Sequence, residues 1–252
     1  MILYVKQGGK MKDWCLEVWG DYACFTRPEM KVERVSYDVI TPSAARAVFD
    51  SILWKPAITW HITRIEVLNP IRWINVRRNE VGKLISIPSQ AQMEGLSVEP
   101  MGFYVEDHRQ QRAGLFLRDV RYRLHAWFEF IPLEKRKQQN NHGPFWADND
   151  EQNQYEQSNE TEAKYAAMFE RRARKGQCFH RPYLGCREFA CNFRLIDKVV
   201  PLPERVNPDE DLGWMLYDLN YDNLEHPVPE FFNAHLENNT INTDRRTVEV
   251  RS

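Results

Sequence analysis

The sequence predicts an α+β protein, in which a few helices pack on mostly antiparallel strands. Three observations support this class. β-prone segments alternate with helical periodicity in the first half of the chain, a second helix follows a polar stretch near residue 160, and further strand-like segments lie between prolines in the last quarter. The chain has 252 residues, of which 42% are hydrophobic, so it can bury a sizeable core.

The first half of the chain predicts strand, helix and strand in that order. Residues 14–19 are short and β-prone and run into Gly20-Asp21, a turn signal. Thr41-Pro42 supplies an N-cap with proline at the first helical position. The helix must end before Pro56, because the residue before a proline is pushed out of the α region. Residues 57–68 then alternate as a half-buried strand does.

The middle of the chain predicts two strands, a loop and a helix. Residues 114–120 and 122–130 are the strands, and the Gln-, Asn- and Asp-rich residues 134–160 are expected to form a long mobile loop. Asn159 with Glu162 marks a helix start, and the helix is expected to end at Gly176.

The last part of the chain predicts antiparallel strands separated by proline-rich turns, at 188–196, 213–220 and 231–236. Taken together, the elements follow the ferredoxin-like order β-α-β-β-α-β with additional C-terminal strands. We therefore expect a ferredoxin-like domain over residues 1–196, with the strands and acidic tail of residues 197–252 packed on it.

Charge is uneven along the chain, although 34 Lys+Arg against 36 Asp+Glu give a formal net charge of only -2. The total excludes a uniformly basic nucleic-acid-coating protein. Residues 161–196 hold 8 basic and 3 acidic residues, whereas residues 197–252 hold 5 and 12. A polyanion would therefore meet the segment 161–196 first.

Several classes of protein are excluded by missing patterns. The sequence has no phosphate loop, no dinucleotide fingerprint, no nucleophile elbow and no HExxH motif. Its five cysteines are scattered without a CxxC pair, so we expect reduced thiols, no metal site and no cofactor. No apolar run is long enough for a membrane helix, so we expect no membrane partner and a cytoplasmic location.

Aromatic residues interleaved with arginines remain as the functional signal. Trp19, Tyr22, Phe25 and Arg27 form one group, and Arg72, Trp73, Arg77 and Arg78 form another. Such residues can stack unpaired bases while guanidinium groups bind phosphates, which suits single-stranded RNA. Burial of Trp19 and Phe25 in the core is the alternative interpretation.

Five motifs in order resemble a known family: Gly20-Asp21-Tyr22-Ala23-Cys24-Phe25-Thr26-Arg27-Pro28, Ser51-Ile52-Leu53-Trp54-Lys55-Pro56, Arg77-Arg78-Asn79-Glu80, Arg171-Arg172-Ala173-Arg174 and Leu184-Gly185-Cys186-Arg187-Glu188-Phe189. They are similar to those of the type I-C CRISPR-associated protein of Cas family five, subtype d, also called subtype c. The resemblance spans about residues 14–235.

The resemblance implies an RRM-like fold of the RAMP superfamily and a metal-independent endoribonuclease. Family members cleave the repeat of precursor CRISPR RNA and then remain on its 5′ handle. The implied partners are the repeat stem-loop and 5′ handle and the backbone and large subunits of a type I-C interference complex, with duplex DNA left open as a further partner.

The resemblance also implies which residues act. In metal-free cleavage the RNA's own 2′-OH attacks the phosphate, so the protein supplies a base, an acid and a cation. The family's Lys-His pair corresponds to Lys164 and Tyr165, which we predict to stabilise charge and to transfer a proton. The family's aromatic or histidine position is Leu53, which can do neither. His61, His125 and His180 remain alternative proton-transfer residues.

The RNA-binding residues that we predict are Tyr22, Arg27, Lys31, Arg34, Lys55, Arg77, Arg78, Arg171, Arg172, Arg174, Lys175 and Arg187. Because Leu53 departs from the family pattern, a non-catalytic subunit that binds the 5′ handle of the CRISPR RNA is the alternative function. An unrelated RRM-like binding module is a third hypothesis.

Overall fold

The structure is a computed structural model, and it describes residues 5–6, 9–10, 12–96, 102–136, 160–198, 201, 205–221, 223 and 225–252. Most of the predicted loop at 134–160 lies outside these residues. Short elements are β1 (Val5–Lys6), β2 (Gly9–Lys10), α2 (Gln90–Met93), a 3₁₀ turn (Val105–His108) and α3 (Leu133–Arg136). Among the described helices, none has the length and apolarity needed to span a bilayer.

A six-stranded antiparallel sheet forms the centre of the molecule. Its strands are β3 (Trp14–Ala23), β4 (Ile58–Val67), β5 (Trp73–Val81), β6 (Arg109–Phe130), β7 (Asn192–Ile196) and β10 (Thr240–Asn242). They follow the order β10-β4-β6-β3-β7, with β5 also paired to β6. Within it, β4-β6-β3-β7 is the strand order of the ferredoxin-like fold, so the predicted architecture is confirmed.

Two helices, α1 (Pro42–Ile52) and α4 (Glu162–Arg174), pack on one face of this sheet. The Thr41 side chain caps α1 by accepting a hydrogen bond from the backbone N–H of Ala44. Phe169 of α4 joins the helices to the sheet, since its ring lies 4.6 Å from Trp60 and 5.7 Å from Phe49. The core therefore lies between the helices and the sheet.

Two strand predictions in the middle of the chain are wrong. The strands predicted at 114–120 and 122–130 are one strand, β6, which contains Asp119 in the left-handed region at φ 53°. The sequence analysis also missed β5, which pairs with the first half of β6 from Trp73–Leu117 to Val81–Arg109. This hairpin extends β6 beyond its pairing with β3.

The C-terminal part forms a second antiparallel sheet of β8 (Glu210–Asn220), β9 (Val228–Leu236) and β11 (Val250–Arg251). It packs on α1 and shares one continuous apolar core with the central sheet, through Met215 and Phe232. Between β9 and β11 the chain enters the central sheet as β10, so the two sheets are interlocked. The domain boundary near residue 196 stays a prediction.

Candidate nucleic-acid interface

The exposed face of α4 carries the basic residues predicted from the sequence. Lys164, Arg171 and Lys175 face solvent, and within the described chain no acidic side chain pairs with them. Arg174 is exposed but lies 2.5 Å from a carboxylate oxygen of Asp197. These cations can therefore meet a phosphate backbone.

Arg172 connects α4 to the end of α1. Its Nη1 donates a 2.9 Å hydrogen bond to the carbonyl oxygen of Ile52, one of the last carbonyls of that helix. Just beyond α4, the backbone N–H of Phe179 donates to the carbonyl oxygen of Ser51 at 2.7 Å. The end of α1 thus lies against α4 and the residues that follow it.

Tyr165 does not share the solvent-exposed face of Lys164. Tyr165 is only 2% exposed, and its hydroxyl donates a 2.6 Å hydrogen bond to Oε1 of Glu160. Glu160 is also ion-paired with Arg136. The two residues predicted to act together in catalysis therefore do not share an exposed surface, because neighbouring helical residues point about 100° apart and only Lys164 points outward.

The turn after α1 also differs from expectation. Leu53 is fully buried, and its carbonyl oxygen accepts a hydrogen bond from Nε1 of Trp60 at 2.9 Å. Lys55 is only 7% exposed, because packing of the Trp-Lys-Pro turn encloses its side chain. Contrary to the sequence prediction, Lys55 therefore does not lie on an exposed RNA-binding surface. This turn is structural in the described conformation.

His180 is the histidine nearest to this junction along the chain, one residue beyond Phe179. Its ring is partly exposed, and its pKa is lowered by burial and by the nearby Arg187 guanidinium. A neutral imidazole can accept a proton at neutral pH. His180 therefore has the protonation state that a general base requires.

A second surface lies where β3 ends, beside the 184–189 turn. Tyr22 is 43% exposed, and its ring lies 6.0 Å from that of Phe189. Glu188 accepts from Arg78 at 2.6 Å and lies 3.5 Å from Arg34. Arg34 and Arg78 therefore share the carboxylate of Glu188, and Tyr22 lies beside the ring of the next residue along the chain.

The other predicted RNA-binding residues near the end of β3 differ in their exposure and in their partners. Arg27 is ion-paired with Asp38 at 3.1 Å, and its guanidinium lies 4.6 Å from the centre of the Tyr37 ring. Lys31 and Arg77 are exposed. Of the aromatic residues, Phe25 is buried in the core, in line with its alternative interpretation. Trp19 is only partly buried and lies outside the core cluster, so the core interpretation does not hold for it.

The sequence analysis missed a charged network on the sheet face opposite the helices. Glu17, 1% exposed, accepts a 2.8 Å hydrogen bond from Arg194 and is ion-paired with Arg121. These bonds lower the pKa of Glu17 against the opposing effect of burial. The buried carboxylate therefore holds two partly exposed guanidinium groups on this face.

A second acid on β4, which is separated from β3 by β6, extends the network. Glu66 lies 2.9 Å from Nε2 of His125, 3.2 Å from Arg64 and 3.5 Å from Arg123. His125 is 6% exposed and is held by these contacts, so its role is structural. The alternation of Arg121, Arg123 and His125 with apolar residues in the sequence was the signal for this face, but it does not reveal the acid partners.

His61 faces a different part of the molecule. It lies beside a cavity of about 210 Å³ lined also by Arg46, Tyr217, Asp218 and Arg245. Its Nε2 is 3.6 Å from a carboxylate oxygen of Glu129, and burial lowers the pKa of the imidazole. His61 is therefore set among C-terminal residues and not at the junction of α1 and α4.

The structure therefore defines the chain as a ferredoxin-like α+β protein with basic surfaces. Residues 14–248 match the family model Cas_Cas5d, described as CRISPR-associated protein (Cas_Cas5). The chain belongs to this family, and the resemblance found in the sequence is confirmed.

Two curated relatives carry the name CRISPR pre-crRNA endoribonuclease Cas5d. The one from Mannheimia succiniciproducens is 46% identical over 231 residues, which are 90% of this chain and 92% of the relative. The one from Thermus thermophilus is 39% identical over 206 residues, which are 82% and 72% of the two chains. The chain therefore matches most of each relative.

Solved structures support the fold. A CRISPR-associated protein has a TM-score of 0.59 at 22% identity, covering 97% of this chain and 100% of the other. A functionally uncharacterized protein from Streptococcus mutans has a TM-score of 0.60 at 21% identity, covering 96% and 98%. At this identity the likeness concerns the architecture alone.

Proposed function

We propose that the protein is a metal-independent endoribonuclease that cleaves precursor CRISPR RNA within the repeat, then stays on the 5′ handle as a subunit of the interference complex. The observation that carries the proposal is 46% identity over 90% of the chain to a relative named CRISPR pre-crRNA endoribonuclease Cas5d. The solvent-facing cations of α4 and the cluster of Tyr22, Arg34 and Arg78 support binding of a polyanion.

In this proposal the 2′-OH of the RNA attacks the adjacent phosphate, giving a 2′,3′-cyclic phosphate and a free 5′-OH. Charge builds on the phosphate oxygens in the transition state, and an ammonium group there accelerates the step. Lys164 is exposed and has no acidic partner among the described residues, so its ammonium can serve this role.

The proton-transfer role fits His180 better than Tyr165. The phenol of Tyr165 is buried and already donates to Glu160, so in this conformation it cannot contact RNA. His180 follows the contact between Phe179 and the end of α1, and its lowered pKa keeps the imidazole neutral. Arg187, whose charge reaches His180, can bind the same phosphate backbone.

The test is cleavage of a labelled repeat RNA by the full chain in excess chelator. We expect native protein to cut, and Lys164→Ala and His180→Ala each to slow cleavage by about a hundredfold. Lys83→Ala, which removes an exposed lysine from the loop after β5, is the matched control and should cut at the native rate. If the native protein cut the RNA and both variants cut it at the native rate, the assignments of Lys164 and His180 would be refuted, but the nuclease function would stand.

A non-catalytic subunit bound to the 5′ handle of the CRISPR RNA is the second candidate function. The burial of both Leu53 and Tyr165 favours it, because the two family positions for proton transfer are enclosed here. Binding of the repeat RNA by the native chain without any cut product would select this function over the nuclease.

A further inference from the structure

The motifs of residues 20–28 and 184–189 meet beside Tyr22 and bring two cysteines together. The backbone N–H of Cys24 donates to the carbonyl oxygen of Leu184 at 3.0 Å, and Gly185 follows in the left-handed region at φ 83°. A Cβ added to Gly185 would lie 2.0 Å from the carbonyl oxygen of Cys24. Only glycine permits this approach of the two backbones, which places Cys186 beside Cys24.

Contacts of the Cys186 sulfur define an environment for a thiolate. As a thiol, it donates to the carbonyl oxygen of Cys24 at 3.7 Å. Nη1 of Arg34 lies 3.6 Å from the same sulfur. The neighbouring Cys24 thiol and the charge of Arg34 lower the pKa of Cys186, against the opposing effects of burial and of Glu188.

The two cysteines differ in their exposure to solvent. Cys186 is partly exposed, whereas Cys24 is 1% exposed and its sulfur lies 3.4 Å from Oγ1 of Thr26. The same thiol pair raises the pKa of Cys24, so Cys24 keeps its proton. Solvent reagents therefore reach the thiolate of Cys186 first, and the Cys24 thiol is positioned to react only with a modified Cys186.

We propose that Cys186 is an oxidation site for hydroperoxides and that Cys24 is its resolving thiol. The Cys186 thiolate attacks the terminal OH oxygen of the peroxide and the O–O bond breaks. The products are the sulfenic acid of Cys186 and an alkoxide, or hydroxide when the oxidant is hydrogen peroxide, and this anion takes a proton from water. The Cys24 sulfur then attacks the sulfenic sulfur and displaces its hydroxyl, which leaves as water with the Cys24 proton. In total, two thiols lose two electrons and two protons, and one hydroperoxide is reduced to water and an alcohol, or to two waters.

Disulfide formation changes the surface that these motifs build. Arg34 loses the thiolate as an acceptor and keeps Glu188, which lies 3.5 Å from its Nη1 and also binds Arg78. A covalent link would also fix the 184–189 turn to the end of β3. The oxidation therefore acts at the predicted RNA-binding surface, although the proposal does not depend on RNA cleavage.

The experiment treats the full chain with stoichiometric hydrogen peroxide, blocks free thiols and maps the peptides by mass spectrometry. We expect one peptide pair joining Cys24 to Cys186, with the loss of two hydrogens. Cys24→Ser should stop at oxidised Cys186, and Cys186→Ser should form no such pair. Cys178→Ser, which removes another partly exposed thiol, is the matched control and should form the disulfide as the native chain does.

A second measurement leaves both thiols in place. Iodoacetamide at neutral pH should label Cys186 before Cys178, and Arg34→Gln should slow labelling of Cys186 roughly tenfold, because the thiolate fraction falls toward that of an ordinary cysteine. Preferential labelling of Cys178, an unchanged rate in Arg34→Gln, or oxidation of native Cys186 without linkage to Cys24 would each overturn the proposal.

Discussion

The two faces of the central sheet carry positive charge in different ways. On the helix side, Lys164, Arg171 and Lys175 of α4 extend into solvent without acidic partners in the described chain. On the other side, Arg121 and Arg194 are held by the buried carboxylate of Glu17. The first arrangement leaves cations available to an external polyanion, whereas the second uses much of their charge inside the protein.

The largest effect is expected where the buried acid is removed. Glu17→Ala leaves Arg121, Arg194 and the 8% exposed Arg123 without this partner, so the free energy of unfolding should fall by about 3 kcal/mol. Urea denaturation of the full chain measures it. Glu129→Ala, at an exposed acid 3.6 Å from His61, is the control and should cost about 0.5 kcal/mol. Equal losses would show that burial of Glu17 is unimportant.

The next effect concerns a partly buried acid on the helix side. Burial raises the pKa of Asp50 in α1 from 3.8 to about 7, against the lowering effect of Arg46. Between these values the folded chain binds a proton that the unfolded chain has released, so stability falls as the pH rises through this range and the loss is complete above it. Asp50→Asn should remove this slope and add on the order of 2 kcal/mol at about pH 8.

The check is thermal unfolding of both chains at about pH 5 and about pH 8. Asp21→Asn, which neutralises an exposed aspartate, is the control and should keep the native pH dependence. If Asp50→Asn kept the same slope as the native chain, the acid responsible would have to be another one, such as Asp218, whose pKa burial also raises.

RNA affinity should separate the two faces directly. The double variant Arg171→Gln/Lys175→Gln should bind repeat RNA roughly tenfold more weakly and lower the salt slope by about 1.4, because two phosphate contacts are lost. The double variant Arg121→Gln/Arg194→Gln should change affinity less, since Glu17 already binds these guanidinium groups. Filter binding across a salt series measures the affinity and the salt slope of each variant. A larger loss of affinity in Arg121→Gln/Arg194→Gln would show that the face of Glu17, and not α4, binds the RNA.

The smallest effect is expected at Tyr165. Tyr165→Phe removes the hydroxyl that donates to Glu160 and should lower the free energy of unfolding by about 1 kcal/mol. Cleavage of the repeat RNA should continue at the native rate, because the ring itself remains packed. A large fall in cleavage rate with unchanged stability would instead restore the sequence-based catalytic role of Tyr165.

The sequence predicted the helices and strands whose local signals are strong. Thr41 caps α1 where expected, and α1 ends at Ile52, before Pro56. β5 was missed because it pairs only with β6 and its inward positions are no more than half-buried. Two of these positions hold Arg78 and Glu80, so the sequence shows no sustained apolar alternation. The single strand β6 was divided in two because nothing local shows that the chain continues through Asp119.

The candidate site was predicted less completely than the fold. A run of basic residues at helical spacing identified the exposed cations of α4, since spacing shows which residues share a face. It could not show that Tyr165 turns inward or that the Lys55 side chain is enclosed, because tertiary packing decides both. Partners far apart in sequence, such as Glu17 with Arg121 and Arg194, become visible only once strand register is known.

β6 has a mechanical consequence for the whole molecule. Its 22 residues span about 70 Å at the usual rise per residue, from the hairpin with β5 to the centre of the core. The same strand carries Arg123 and His125, so a load applied at the hairpin is transmitted along an unbroken backbone to the charged network. The left-handed Asp119 lies between the part of β6 that pairs with β5 and the part that pairs with β4.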